Sequence, residues 1–503
     1  MAEVVVIEVE APTDGSDATA SLNEAIARAA GQNGAPTEIR LAPGDYNISR
    51  EHSVPVVYHI SNTASEQENP DPTKHVGLLM RGLSNVTFDG RGARLVTHGE
   101  MTTFVVDSCE NITLKNFTLT AADPSVVEIR ATGRDSLGID FEVVAPTRFD
   151  IVDGRLQFEG DGWTLRDGHA QVFYPERNVT LRVHSPLSGY AVARRIGERA
   201  VKIEYAPGRM PEVNVGEVYQ IRHGIRNEVC AFINRSRDVM IANAELNFLG
   251  NFGLVGQFSE NITYDNIRCR PAEGRTNAGF ADFVQMSGCK GKIKIVDSYF
   301  EGSQDDPINI HGTHLKVVEP CGAQSGDADR LRVRYSHPQT FGFQPYCAGD
   351  SIDIVDCATL NAVYSGRVVH CRPIDDYDYE LTFDEAVPAE IFGEDLAVEN
   401  TTWTPEVEIR GNYFARTPTR GILITTRRKS VIEDNIFFRI PMASILVSDD
   451  ARSWYESGPV RDLTIRGNRF VECSDPVILI KPETTRPGRP VHTNIRIEDN
   501  IQE

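Results

Sequence analysis

The sequence lacks any apolar run long enough to suggest a transmembrane helix, which needs about 18 apolar residues or more. It is also poor in basic residues: 51 Lys and Arg stand against 72 Asp and Glu in 503 residues, a formal net charge of −21. Neutralising a nucleic-acid backbone requires a basic surface, so this balance argues against a nucleic-acid partner. We therefore expect neither a nucleic acid nor a membrane as partner.

Cysteine is sparse and shows no metal-binding pattern. The nine cysteines include no Cys-x-x-Cys pair, so neither a zinc site nor a redox site is indicated, and buried free thiols are expected. One or two disulfides stay open. The first ten residues lack the basic and long apolar segments of a signal peptide. Either the protein stays inside the cell or a leader is absent from this chain, and a secreted or extracytoplasmic protein is the expectation.

A short phrase recurs along the chain: alternating strand residues, then Gly-Asn or Asp-Asn, then an aromatic or apolar residue. Asn243 and Asn266 are 23 positions apart, as are Asn412 and Asn435. Strand-rich repeats with a period in the low twenties predict an all-β fold, a right-handed parallel β-helix whose coils stack on one shared core. The asparagines suit a left-handed backbone conformation at each turn and hydrogen bonds to the next coil.

Other segments depart from this repeat. Residues 14–30 form an amphipathic pattern with Leu22 and Ile26 on the apolar face, which predicts a helix that caps the open end of the coil stack. Two stretches with hairpin-like strands and no asparagine phrase are interpreted as inserted antiparallel β-barrel-like subdomains. The predicted organisation is 1–133 for the cap and first coils, 134–226 for the first insert, 227–314 for the central coils, 315–403 for the second insert and 404–503 for the last coils.

Three aspartates come together when neighbouring coils are aligned. Placing Phe283-Val-Gln-Met beside Pro307-Ile-Asn-Ile sets Asp282 next to Asp306, with Asp305 just before it. Parallel strands lie about 4.7–4.9 Å apart, so three carboxyl groups would converge on one face. Like charges at this distance cannot all ionise freely, so one carboxyl should keep its proton. A protonated acid beside an ionised base is what cleavage of a glycosidic bond requires.

Further polar residues are predicted to surround these carboxylates. Strand alternation places Gln285, Asn309 and His311 on the same outer face, the next coil brings Arg420 to the matching position, and Asn251 lies one coil earlier. Carboxylates, amides, an imidazole and a guanidinium would form a groove suited to sugar hydroxyl groups. A calcium site made of the three aspartates is the alternative, because clustered carboxylates are also ligands of hard cations.

The aspartates resemble those of the inverting glycosidases of the polygalacturonase type, in which one Asp lies about one coil before an Asp-Asp pair. The Asn-Thr-Asp and Arg-Ile-Lys motifs of polygalacturonases are absent here. The helix-capped repeat, the inserts and the phrase Gln304-Asp-Asp-Pro-Ile-Asn-Ile-His-Gly-Thr-His314 more closely resemble glycoside hydrolase family 110 over essentially the whole chain. Members of that family are exo-acting α-1,3-galactosidases that remove terminal galactose from blood-group B structures.

The resemblance implies an inverting mechanism that needs no metal and no organic cofactor. It favours Asp305 as general acid and Asp282 with Asp306 as the groups that activate water, although by chemistry alone these roles could be permuted. The expected partners are galactose-terminated oligosaccharides or glycoconjugates, and a homo-oligomer stays open. Two other interpretations remain: a β-helix polysaccharide hydrolase of another specificity, and a non-catalytic glycan-binding β-helix protein. The sequence does not separate branched from linear α-1,3-galactosides as substrates.

Overall fold

The computed structural model describes residues 3–321 and 328–503; part of the predicted second insert, residues 322–327, lies outside them, as do residues 1–2 of the predicted N-terminal segment. The predicted all-β parallel β-helix is confirmed. Two of its walls form one continuous 18-stranded parallel sheet, because three long strands bend and run through both walls. The strands of this sheet are Val5–Val9, Thr37–Leu41, Asp45–Ser49, Ser84–His98, Glu110–Ala121, Arg237–Leu246, Glu260–Asp265, Arg268–Cys269, Lys290–Val296, Tyr299–Glu301, Glu406–Arg410, Tyr413–Ala415, Ser430–Glu433, Ile436–Phe438, Leu463–Arg466, Arg469–Val471, Ile495–Glu498 and Ile501–Gln502.

The third wall is a separate sheet of eleven strands, and it carries the residues predicted to form the site. Its first two strands pair antiparallel, and from the second strand onward the wall is parallel. In spatial order its strands are Val54–Val57, Thr73–Arg81, Thr102–Asp107, Ala231–Asn234, Leu254–Gln257, Val284–Ser287, Ile308–Thr313, Ile422–Ile424, Ile445–Val447 and Ile478–Ile480. The eleventh, Glu456–Ser457, pairs antiparallel with Ile308–Thr313.

The core of the β-helix is a set of apolar columns, because parallel coils in register place like residues above one another. Phe300, Phe414, Phe437 and Phe470 stack in this way, with successive ring centroids 5.2, 4.8 and 5.1 Å apart. At one end of the stack lies the predicted helix, which spans Thr19–Ala30 and packs its apolar face into the same core. The two short 3-10 helices are Arg50–His52 and Ala389–Ile391. None of the described helices is both long and apolar enough to cross a membrane.

The turn asparagines use two different conformations. Asn243 and Asn266 adopt the predicted left-handed conformation, with φ of 51° and 50°. For Asn435 that prediction is wrong, because the left-handed residue there is the preceding Asp434, at φ 55°. Asn435 is instead fully buried, and its Nδ2 donates to the backbone oxygen of Ile409 and to Oδ1 of Asn468 on the next coil, at 3.0 and 2.9 Å. The C-terminal coils are therefore joined by a ladder of buried amides.

Two antiparallel subdomains interrupt the coils. The first contains a seven-stranded and a three-stranded sheet that share one apolar core. The second is a closed six-stranded barrel. The strands of the first are Val127–Arg134, Gly138–Val143, Arg148–Val152, Arg155–Gly160, Trp163–Leu165, His169–Tyr174, Val179–Val183, Val192–Arg195, Ala200–Glu204 and Val218–Arg222; those of the barrel are Leu315–Cys321, Ala328–Arg334, Ser351–Asp356, Asn361–Pro373, Asp378–Val387 and Leu396–Asn400.

Candidate active site

The three aspartates meet at the N-terminal ends of neighbouring strands in the third wall. Val284 pairs with Ile308, and Ile308 pairs with Ile422 on the following coil. Counting back two positions from each of these residues places Asp282, Asp306 and Arg420 side by side on three successive coils. The predicted register of this wall is therefore confirmed.

Local sequence explains why the polar groups face outward. Val284, Met286, Ile308 and Ile310 are fully buried in the core of the β-helix, so the intervening residues must point to the other face of the wall. The preceding coil approaches closely at Gly253, where an added Cβ would lie 2.4 Å from the backbone oxygen of Asp282. A glycine is required there, and it allows the wall to close up beneath the carboxylates.

The three carboxyl groups differ in how deeply they are buried. Asp282 and Asp306 are almost fully buried. Burial raises the pKa of Asp282 well above its usual range, and the nearby Asp305 and Asp306 raise it further. Burial also raises the pKa of Asp306, but the Arg420 guanidinium opposes this effect, with Nε 3.2 Å from Asp306 Oδ1. Asp305 is the most accessible, with 28% of its side chain exposed, and its Oδ1 lies 3.1 Å from a terminal nitrogen of Arg182.

Arginines from the first insert and from the segment after it surround the carboxylates. Arg182 lies on the strand Val179–Val183, and Arg222 ends the last strand of the insert. The Arg222 guanidinium lies 4.4 Å from the centre of the Phe280 ring, and its Nε donates to Gln304 Oε1 at 2.6 Å. Burial, together with the positive charge of Arg226, lowers the pKa of Arg222 to about 10. These arginines were not predicted, because their positions depend on how the insert docks against the wall.

A fourth carboxylate in this region, Glu456, was not predicted from the sequence. It lies in the short strand that pairs with Gly312 and Thr313. Its Oε1 accepts hydrogen bonds from Nδ2 of Asn309 and Nδ2 of Asn62, both at 3.2 Å. Asn435 and Asn468 are 33 positions apart instead of 23, so the sequence indicates only a loop that lengthens this repeat, and no spacing pointed to Glu456.

The remaining predicted residues fall into two groups. Gln285 and His311 contact each other, with Nε2 of the amide 3.1 Å from Nε2 of the imidazole, while His311 Nδ1 faces the Gly312 carbonyl oxygen at 2.7 Å. Asn251 donates from Nδ2 to Glu100 Oε1 at 2.7 Å, while its buried Oδ1 has no hydrogen-bond partner in the described part of the chain. The structure thus brings the predicted Gln285, Asn309, His311 and Arg420 together with the aspartates, and it turns the Asn251 amide toward Glu100.

Buried acceptors without partners mark where a polar ligand would bind. Within the described chain, Oε1 of Gln285 and Oδ1 of Asn309 are both buried and have no hydrogen-bond partner. Buried polar atoms are rarely left unpaired in proteins, because each costs about 1–3 kcal/mol. Two free acceptors on the wall beside the carboxylates are therefore suited to the hydroxyl donors of a sugar.

One tryptophan stands near these groups. Trp454 is 45% exposed, and its ring stacks on His337 of the second insert with centroids 4.5 Å apart. Glu456 follows two residues later in the same loop. Trp403, by contrast, packs against Phe258 at 5.4 Å, with Lys290 Nζ 4.4 Å from its ring centre. Trp454 is thus an exposed aromatic side chain in the loop that carries Glu456.

The calcium site considered for the three aspartates requires carboxylates arranged around one ion. In residues 3–321 and 328–503, no group of three or more His, Cys, Asp or Glu side chains is arranged to hold a metal ion. That finding counts against the calcium site considered for the three aspartates. All nine cysteines are free thiols.

Known proteins resemble this chain along most of its length. Residues 330–396, within the closed barrel, match the family described as GLAA-B beta-barrel domain II. The chain is 45% identical over 479 residues to alpha-1,3-galactosidase A of Bacteroides thetaiotaomicron, covering 95% of this chain and 83% of that protein. It is 31% identical to alpha-1,3-galactosidase B of Phocaeicola vulgatus, covering 88% of this chain and 77% of that protein. Among solved structures, a family 28 exopolygalacturonase of Yersinia enterocolitica aligns with 100% of this chain and 66% of its own, at 9% identity and a TM-score of 0.38.

Proposed function

The chain belongs to the α-1,3-galactosidases of glycoside hydrolase family 110, and we propose that it is an exo-acting, inverting enzyme that releases terminal galactose from blood-group B type glycans, with linear Galα1-3Gal as a second substrate to be tested. The chain is a glycoside hydrolase with α-galactosidase activity. The proposed mechanism rests on one observation, the convergence of Asp282, Asp305 and Asp306 on adjacent coils beside Arg420.

Hydrolysis with inversion requires a base that activates water and an acid that protonates the leaving oxygen. We assign the base to the buried pair Asp282 and Asp306. Their pKa values are both raised, so the pair holds a proton in common more readily than two separate aspartates would. Arg420 stabilises the ionised form of Asp306, which leaves a carboxylate oxygen to accept the proton of the attacking water.

Asp305 is assigned as the acid. It is the most accessible of the three carboxyl groups, as expected for a group that must reach a glycosidic oxygen. In the reaction, the water oxygen bonds to the anomeric carbon while its proton passes to the base pair. The bond between that carbon and the glycosidic oxygen breaks, and the oxygen takes the proton from Asp305. Water then returns both carboxyl groups to their starting states.

The surroundings of Asp282, Asp305 and Asp306, here called the triad, fit a terminal sugar better than the middle of a polymer. The first insert provides Arg182 and Arg222 on one side, and the loop with Trp454 and Glu456 lies on another, where it contacts His337 of the second insert. A long glycan crossing the wall would meet these elements, whereas a chain end can enter between them. The amide acceptors of the wall would then bind galactose hydroxyls.

The test is incubation with the blood-group B trisaccharide and with Galα1-3Gal, followed by proton NMR from the first minutes. We expect free galactose to appear first as the β-anomer and oligosaccharide products of intermediate size to be absent. First appearance of the α-anomer would contradict inversion, and release of larger fragments would contradict exo action.

Asp297→Asn is the matched control for variants of the triad, because Asp297 is an exposed turn residue at φ 50° that asparagine accommodates.

A further inference from the structure

Arg182 and Asp305 form an ion pair that occupies the carboxyl group needed for the acid role of Asp305. With an Arg182 nitrogen 3.1 Å from its Oδ1, the carboxyl group contacts the guanidinium, whereas a general acid must contact the glycosidic oxygen that it protonates. Resting on the proposed function, we propose that Arg182 leaves Asp305 when substrate binds and donates hydrogen bonds to the leaving-group sugar. Arg182 would then determine which aglycone the enzyme accepts.

The charged groups around Asp305 single out Arg182 as the one that can move. Those that act on Asp305 or are influenced by it are Arg182, Arg222, Arg420, Asp282 and Asp306. Arg222 donates to Gln304, and Arg420 donates to Asp306 through both its side chain and its backbone. In the described part of the chain, Arg182 has Asp305 as its one ion-pair partner and donates no side-chain hydrogen bond, and its side chain is 57% exposed.

The backbone beneath Arg182 is nevertheless fixed. Arg182 pairs in register with Gln171 on the neighbouring strand of the first insert. The Gln171 Nε2 donates to the backbone oxygen of Gln304, the residue immediately before Asp305, at 2.8 Å. The insert is thus anchored next to the acid, so a small rotation of the Arg182 side chain suffices to release the carboxyl group.

Position along the wall indicates what the released guanidinium would meet. Asp305 lies before the strand Ile308–Thr313, on the side of the first insert, while Asn309 lies on that strand. Glu456 lies further along the wall, on the short strand that pairs with Gly312 and Thr313, and accepts from Asn309 Nδ2. A galactose seated over Asn309 and Glu456 places its glycosidic oxygen near Asp305 and the next sugar near Arg182. A guanidinium with its five N–H donors can bind the hydroxyl and ring oxygens of that sugar.

The experiment compares substrates that differ only in the leaving group. Galα1-3Gal has a sugar to bind and needs a proton on its leaving oxygen, whereas α-galactosyl fluoride has neither requirement. For Arg182→Ala we expect kcat/KM on the disaccharide to fall on the order of tenfold to a hundredfold, as for a lost charged hydrogen bond. Activity on α-galactosyl fluoride and inhibition by free galactose should stay at the level of the unmodified enzyme. Arg182→Lys should lie between the two, because an ammonium keeps the charge but loses the planar fork.

Arg194→Ala is the matched control. Arg194 lies in the same insert, its side chain is 63% exposed, and its Nε lies 2.9 Å from Glu204. We expect it to change neither substrate. An equal loss on both substrates for Arg182→Ala would assign Arg182 to the folding of the site, and no loss on the disaccharide would remove it from aglycone binding; either result overturns the proposal. Failure of the unmodified enzyme to release galactose from both the blood-group B trisaccharide and Galα1-3Gal would instead reject the proposed function.

Discussion

Nε of Arg420 lies 3.2 Å from Oδ1 of Asp306, and the two residues occupy the same position on successive coils. The backbone N–H of Arg420 donates to the same oxygen, also at 3.2 Å. Asp282, on the preceding coil, forms no ion pair within the described residues, and the positive charge that lowers its pKa is that of Arg226. The two aspartates therefore occupy neighbouring positions on the β-helix, but only Asp306 has an adjacent arginine that stabilises its ionised form.

This asymmetry predicts a stability gain in Asp282→Asn. The pKa of Asp282 is raised in the folded state, so the folded protein binds a proton that the unfolded chain releases as pH rises above its ordinary value of 3.8. Stability is thus lost as pH increases through the raised pKa, and asparagine imitates the protonated form without that loss. We expect the variant to have a higher melting temperature than the unmodified protein at pH 7, and the difference to vanish near pH 4. Melting temperatures between pH 4 and 8 measure this.

The same variant should have almost no galactosidase activity, since asparagine cannot share and exchange a proton with Asp306 as the proposed base pair requires. Asp297→Asn serves as the control and should change neither activity nor the pH dependence of melting. A stability difference that does not depend on pH would show that Asp282 ionises as an ordinary surface aspartate.

Asp305→Asn tests the division of labour between the carboxyl groups. Loss of a general acid slows departure of a sugar but not of fluoride, which leaves without a proton. We expect activity on Galα1-3Gal to fall by about 10²–10⁴-fold, the usual contribution of acid catalysis, and activity on α-galactosyl fluoride to survive. Asp306→Asn should lose both activities. If the two variants behave alike on the fluoride, the acid and base roles are not divided as proposed.

The positions of Asp282, Asp306 and Arg420 could be predicted because, in a parallel β-helix, the sequence period determines which residues are neighbours. Once the period and the strand alternation are known, residues one coil apart lie side by side. Arg182 and Glu456 follow no such rule. They come from an insert and a loop, and the docking of these elements on the wall depends on tertiary contacts that leave no periodic signal in the sequence.

Asn251 shows a further limit of register arguments. The strand pairing that aligns Leu254 with Val284 sets Phe252, not Asn251, beside Asp282. Asn251 therefore lies one position earlier, and its amide meets Glu100 and Ser125. A shift of one residue reverses the face to which a strand side chain points. Knowing the coil on which a residue lies is therefore not enough to predict its contacts; the exact register is needed as well.

Glu456→Gln tests whether the fourth carboxylate binds the galactose unit. Glu456 is held by two amide donors, Asn62 and Asn309, and its carboxylate would accept further hydrogen bonds from sugar hydroxyls. The amide keeps the shape but loses the charge, so we expect weaker binding, with KM and the inhibition constant of galactose both rising about tenfold. In contrast to Arg182→Ala, the loss should be the same for Galα1-3Gal and for α-galactosyl fluoride. Unchanged galactose inhibition would exclude contact with this sugar.

Asn435→Ala tests the amide ladder that joins the C-terminal coils. Alanine removes the donor to Ile409 and breaks the chain of hydrogen bonds between Asn412 and Asn468, leaving buried polar groups unpaired. Because each such group costs about 1–3 kcal/mol, we expect the free energy of unfolding to fall by about 2 kcal/mol or more in denaturant titrations. Asn214→Ala, which removes an exposed amide hydrogen-bonded to Glu217, should cost far less. Equal effects of the two substitutions would mean that the buried amide ladder contributes no more to the free energy of unfolding than an exposed hydrogen bond does.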